Sequence, residues 1–199
     1  MVEFNQRRSR QSAVLAVGVL LTLVAVFAHR FLPERRFALD PSKEGAVYFL
    51  MKFGAEELTT VDWVDQSRLH FKCRFIKDDS NATCSYTFLL YRENDAEHGV
   101  DLSRFRNLNL KLWYRGPAHY VRLAIRNFDP RFSRVEDTNS SKFNLLNLQP
   151  KDLGKPVAID LHEFTVPEWW VAAYDLPREL SHPDLRNAVA FSVYLQGEA

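Results

Sequence analysis

The chain has 199 residues, of which 46% are hydrophobic, 26% charged and 13% aromatic, with fifteen Phe and only seven Gly. Its formal net charge of +1 supplies no global field to draw nucleic acid or an acidic polymer, and no basic run is interleaved with aromatics as a nucleic-acid groove requires. Many aromatics and few glycines fit a strand-rich core, and there is no internal repeat or low-complexity tract.

At the N-terminus, Arg7, Arg8 and Arg10 precede the apolar run AVLAVGVLLTLVAVFA, residues 13–28, in which Thr22 alone is polar. With Phe31 and Leu32 the run approaches the 20 or so residues that span a bilayer. Residues 13–32 are therefore expected to form a signal-anchor helix, with residues 1–12 in the cytoplasm by their basic charge. Arg30, Arg35 and Arg36 weaken that orientation rule. A cleavable signal peptide ending at Val26-Phe27-Ala28 is the rival reading. Either reading exports the rest of the chain: a linker over 33–46, then one domain over 47–199 outside the cytoplasm. Roughly 165 residues suffice for a domain with a real core.

Val47 to Phe53 is expected to be a first strand or a short helix, and Val61 to Val64 a short strand. Leu69 to Ile76 and Thr83 to Leu90 read as a hairpin around the polar turn Asp78-Asp79-Ser80-Asn81. In that hairpin Cys73 and Cys84 lie opposite each other, and a disulfide is expected between them. Two cysteines and singly scattered histidines supply no zinc site, so no metal is expected. Leu108 to Tyr114, the turn Arg115-Gly116-Pro117 and Tyr120 to Phe128 read as a second hairpin. Phe143 to Leu148, Val157 to Leu161 and Ala188 to Leu195 complete the strands, and Glu163 to Leu180 is expected to be irregular. Short strands at this spacing predict an all-β protein: an antiparallel β-sandwich, with Greek-key or jelly-roll connectivity.

The densest polar stretch is RLAIRNFDPRFSRVEDTNSSKFN, residues 122–144. Arg122 and Arg126 share parity on a strand and so share a face. On a core face they need partners, which Asp129 and Asp137 could supply; on a cleft face they could bind an anion or a polyol. The candidate ligand residues are Arg122, Arg126, Asn127, Asp129, Asp137, Lys142 and Asn144. Trp169 and Trp170 are added as a stacking wall, or else as a hydrophobic plug. On an extended segment the two would point opposite ways, one inward and one partly exposed. No nucleophile elbow, phosphate-cradling glycine loop or metal-ligand spacing appears, so no catalytic residue and no cofactor are expected.

Taken together, WVD at Trp63 to Asp65, the two cysteines, RNFDPRF, SKFN, VPEWW, DLPREL and NAVAFSVYL resemble the exported sensory region ahead of the catalytic part of membrane-bound bacterial GGDEF-type diguanylate cyclases. The resemblance runs from about Thr60 to Leu195. It implies a galactose-binding-like jelly roll and a second membrane span leading to a cytoplasmic cyclase. The chain stops at Ala199 without either a second span or a GG[DE]EF signature, so no catalytic residue is carried over. The expected function is a membrane-anchored periplasmic sensor. Its partners would be the inner membrane and a small molecule, for instance a carbohydrate, or a protein, with a homodimer as one option. The alternatives are a surface carbohydrate-binding module without signalling and a structural or dimerising domain.

Overall fold

The computed structural model describes residues 17–24, 36–43, 46–53, 59–75, 82–91 and 95–196. The chain divides into two units, Met1–Phe37 and Ala38–Ala199. In the first, residues 17–24 are helical, with the Thr22 hydroxyl donating to the Gly18 carbonyl at 2.9 Å. Among the described residues no helix is long and apolar enough to cross a membrane. Most of the expected span, residues 13–16 and 25–32, lies outside the described residues, as does the expected turn over 78–81.

The second unit is mostly β. Among the described residues nine strands form: β1 (Tyr48–Phe53), β2 (Thr59–Asp65), β3 (His70–Phe75), β4 (Thr83–Leu89), β5 (Asn107–Lys111), β6 (Val121–Asn127), β7 (Lys142–Leu148), β8 (Pro156–Asp160) and β9 (Ala188–Gln196). Five make one antiparallel sheet in the order β1-β4-β9-β6-β7, while β2-β3 and β5-β8 are two-stranded antiparallel ribbons. β9, last in the chain, lies at the centre. Its first six residues are buried without a break, as a strand covered on both faces requires. The ribbons instead alternate partly buried and exposed positions, with Leu108 and Leu110 turned inward between Asn107, Asn109 and Lys111.

The main core lies between the five-stranded sheet and the two ribbons. Tyr86, Phe88, Val121, Leu123, Ile125, Leu148, Phe191 and Val193 come from the sheet, and Ile159, Trp63, Phe71, Leu108 and Leu110 pack on them from the ribbons. Trp63 meets Tyr48 and Tyr86 edge-on, at 6.1 and 6.0 Å between ring centres. These packed layers make the unit sandwich-like. The opposite face of the sheet carries a second cluster, in which Ala124, Phe143 and Trp170 are joined by Phe132, Leu145, Val166 and Tyr174.

Both expected hairpins are replaced by other pairings. β3 pairs with β2 and β4 with β1 and β9, so Cys73 and Cys84 do not face each other across a ladder. Their disulfide joins the β2-β3 ribbon to the five-stranded sheet, with the Cα atoms 6.3 Å apart. β5 pairs with β8 and β6 with β7 and β9, so the Arg115-Gly116-Pro117 turn carries the chain between layers. The physical reason is common to both cases. Each strand has one apolar face to bury, and placing consecutive strands in opposite layers buries both faces against each other. The segment expected to be irregular contains a short helix, α1 (Glu168–Ala173), and one 3₁₀ turn, Arg178–Leu180.

Candidate functional site

The polar stretch is divided by the sheet. β6 and β7 pair with Arg126 opposite Phe143 and Asn127 opposite Lys142. Because strand side chains alternate, Asn127, Lys142 and Asn144 belong to the ribbon side at one end of the sheet, and Arg122, Arg126 and Phe143 to the other side.

On the ribbon side, Asn144 is fully buried and fully engaged. Its amide nitrogen donates to the Ile125 carbonyl at 3.0 Å and to Asn127 Oδ1 at 2.8 Å, and its oxygen accepts from the Asp184 backbone N–H at 3.2 Å. It staples the 181–187 segment to β6 and β7. Asn127 is left with a buried Nδ2 that has no partner among the described residues. Lys142 is 4% exposed and forms no ion pair among the described residues. Burial pushes its ammonium below the usual lysine range, against the pull of Asp184 and Asp129. Those two carboxylates are committed elsewhere. Asp129 holds the Arg131 guanidinium and backbone N–H, and Asp184 does the same for Arg186. Each arginine hydrogen bond holds its carboxyl below the ordinary range. Two Asp-x-Arg forks thus flank a buried lysine.

On the other side Arg122 and Arg126 share a face, as expected, but not a site. Arg122 is spoken for at the surface: Nε donates to Asn147 Oδ1 at 3.1 Å and Nη2 to the Tyr120 hydroxyl at 3.2 Å. Arg126 is 4% exposed, lies over the Phe143 ring at 5.7 Å and leaves its buried Nε without a partner among the described residues. Neither expected counter-charge reaches it. Asp129 binds Arg131, and Asp137 accepts from the Asn139 N–H at 3.0 Å and the Tyr174 hydroxyl at 3.2 Å. Asp137 is therefore a brace for the 129–141 loop.

The tryptophans split as expected, but for a helical reason. Both lie on α1, where consecutive side chains point about 100° apart. Trp170 is fully buried, donates from Nε1 to the Asn139 carbonyl at 3.1 Å, and packs edge-on against Phe132 at 5.3 Å. It plugs the second cluster. Trp169 is 54% exposed and rests against Phe143 at 5.5 Å.

Asp184, Arg186 and Arg131 are absent from the candidates that the sequence suggests. The signal in the sequence is the repeat of Asp-x-Arg at Asp129-Pro130-Arg131 and Asp184-Leu185-Arg186, each starting just beyond a strand end or shortly before a strand. Among the described residues no group of three His, Cys, Asp or Glu side chains could hold a metal ion. No protein-family model, curated protein or solved structure matches the chain.

Proposed function

We propose that this chain is a membrane-anchored, exported ligand-sensing module of the galactose-binding-like jelly-roll kind. In this reading it is the input region of a diguanylate cyclase whose catalytic part lies outside this sequence. The observation that carries the ligand-binding part is the ribbon-side end of the sheet. There the buried Asn127 Nδ2 has no acceptor among the described residues and the neighbouring Lys142 forms no ion pair among them, while both nearby aspartates are already committed to arginines. Buried donors without acceptors are costly unless a ligand or bound water supplies them. The disulfide supports export, because such bonds persist in oxidising compartments. The cyclase part of the reading rests on the resemblance of the sequence blocks alone. Signalling then requires that the ligand bind two arrangements of the domain with different affinity.

The test is thermal unfolding of the full chain in detergent against a panel of sugars, amino acids and small organic acids, run beside Asn127→Ala and Lys142→Met. At least one compound should raise the wild-type midpoint and leave both variants unmoved. A panel that shifts wild type and variants alike, or shifts nothing, refutes a binding role for this end of the sheet. A second reading, a carbohydrate-binding surface without signalling, is favoured by the half-exposed Trp169, since an aromatic face at the surface suits a sugar ring.

A further inference from the structure

Arg126 and Lys142 are equally buried, yet their chemistry differs. A lysine can shed its proton in an apolar setting, whereas a guanidinium stays charged at any ordinary pH. Arg126 therefore holds a full positive charge on the face of the sheet away from the ribbons. No ion pair and no hydrogen bond to its guanidinium is found among the described residues. By the register Ala190 of β9 stands on one side of it and Phe143 of β7 on the other, with Ala124 two residues back on its own strand. Small side chains and an aromatic ring line the position, and none of them can accept a hydrogen bond from a guanidinium edge. Phe143 is shared, since the half-exposed indole of Trp169 leans on the same ring.

We propose that Arg126 is the anchor of an oxyanion subsite on this outer face, taking the carboxylate or phosphate of a small organic molecule whose flat part rests on the Phe143–Trp169 pair. The planar fork of arginine suits a two-point contact with an oxyanion, and an aromatic wall beside it suits a ring. The subsite does not depend on the Lys142 end, which lies on the opposite side of β6 and β7.

The experiment is titration of the full chain in detergent with benzoate, glucuronate, inorganic phosphate and neutral benzyl alcohol, read by indole fluorescence and thermal unfolding. Benzoate or glucuronate should bind and perturb the fluorescence, and benzyl alcohol should not. Inorganic phosphate should compete if the oxyanion alone is recognised; if it fails to compete while the carboxylates bind, the ring contact contributes and the carboxylate is the preferred head group. Arg126→Met should weaken binding at least tenfold. Arg126→Lys, which keeps the charge and loses the fork, should weaken it less but measurably, and it serves alone should the methionine variant fail to fold. Trp169→Phe should remove most of the fluorescence change. Absence of binding by both carboxylates and by phosphate, or equal binding by the wild type and the Arg126 variants, overturns the proposal and leaves Arg126 a hydrated structural cation.

Discussion

Trp169 and Trp170 are neighbours in sequence, but truncating them should have very different consequences. Trp170 is completely buried and joins Phe132, Phe143 and Tyr174 over the outer face of the sheet. A buried tryptophan withdraws about 150–250 Å² from water, which at about 25 cal/mol per Å² is about 4–6 kcal/mol. Truncation data for large aromatic side chains give about 3–5 kcal/mol. The Asn139 carbonyl also loses its indole donor, worth about 1 kcal/mol. Trp170→Ala should therefore cost about 4 kcal/mol, a large part of the 5–15 or so that a typical domain possesses. Trp170→Phe, keeping an aromatic ring but not the N–H, should cost about 1–2 kcal/mol. Trp169→Ala exposes little new surface and should cost about 1 kcal/mol or less. A six-residue helix has no stability of its own, so α1 depends on the packing of Trp170. Urea unfolding followed by circular dichroism gives the three values directly. Similar losses for Trp169→Ala and Trp170→Ala would refute the assignment of Trp170 as the plug of the second cluster.

Removing the disulfide with Cys73→Ala and Cys84→Ala should cost about 3 kcal/mol by loop-closure entropy for its sequence separation of 11, measured by chemical unfolding with and without reductant; an unchanged midpoint would argue against it. Because burial lowers the Lys142 pKa, the folded state releases this proton at lower pH than the unfolded chain. Stability should then rise with pH from the folded pKa up to the unfolded value of about 10.4. Unfolding free energies measured as the pH approaches about 10.4 from below should show this rise in wild type and a flatter profile in Lys142→Met. Tyr86, whose pKa burial raises, acts in the opposite direction only above about pH 10. Identical slopes in the two proteins would contradict the lysine argument. At Gly99 a Cβ would sit 1.9 Å from the Ala188 carbonyl oxygen, where Val100 and Ala188 exchange hydrogen bonds and Asn187 accepts from the Gly99 N–H. Gly99→Ala should cost more than about 2 kcal/mol, seen as a lowered thermal midpoint.

The strands were legible because alternation reports which residues share a face. Leu108 and Leu110 point inward between polar neighbours, and every expected strand has a counterpart within a few residues. The neighbours of each strand were not legible. Leu69 to Ile76 and Thr83 to Leu90 carry the same alternation whether they pair with each other or sit in facing layers, and only the layers bury Phe71 and Tyr86 together. The cysteine pairing is compatible with either arrangement, which is why it could be right while the hairpin was not. Within the site, parity placed Arg122 with Arg126, but nothing local distinguishes the surface arginine held by Asn147 from the buried one beside Ala190. Asp184 stood apart from the other candidates because it reaches Asn144 across 40 residues, a distance over which spacing carries no information.

The Cys73–Cys84 bridge also changes what the compartment can do to the protein. Among the described residues the β2-β3 ribbon has no ladder to the five-stranded sheet, so the bridge and a patch of aromatic contacts around Trp63, Phe71, Tyr48 and Tyr86 attach it. Where thiols stay reduced, that lid over the core is held by packing alone and can peel from the sheet; where they oxidise, it is locked. Covalent closure of the core thus makes completion of this fold an event that depends on where the chain is when it folds.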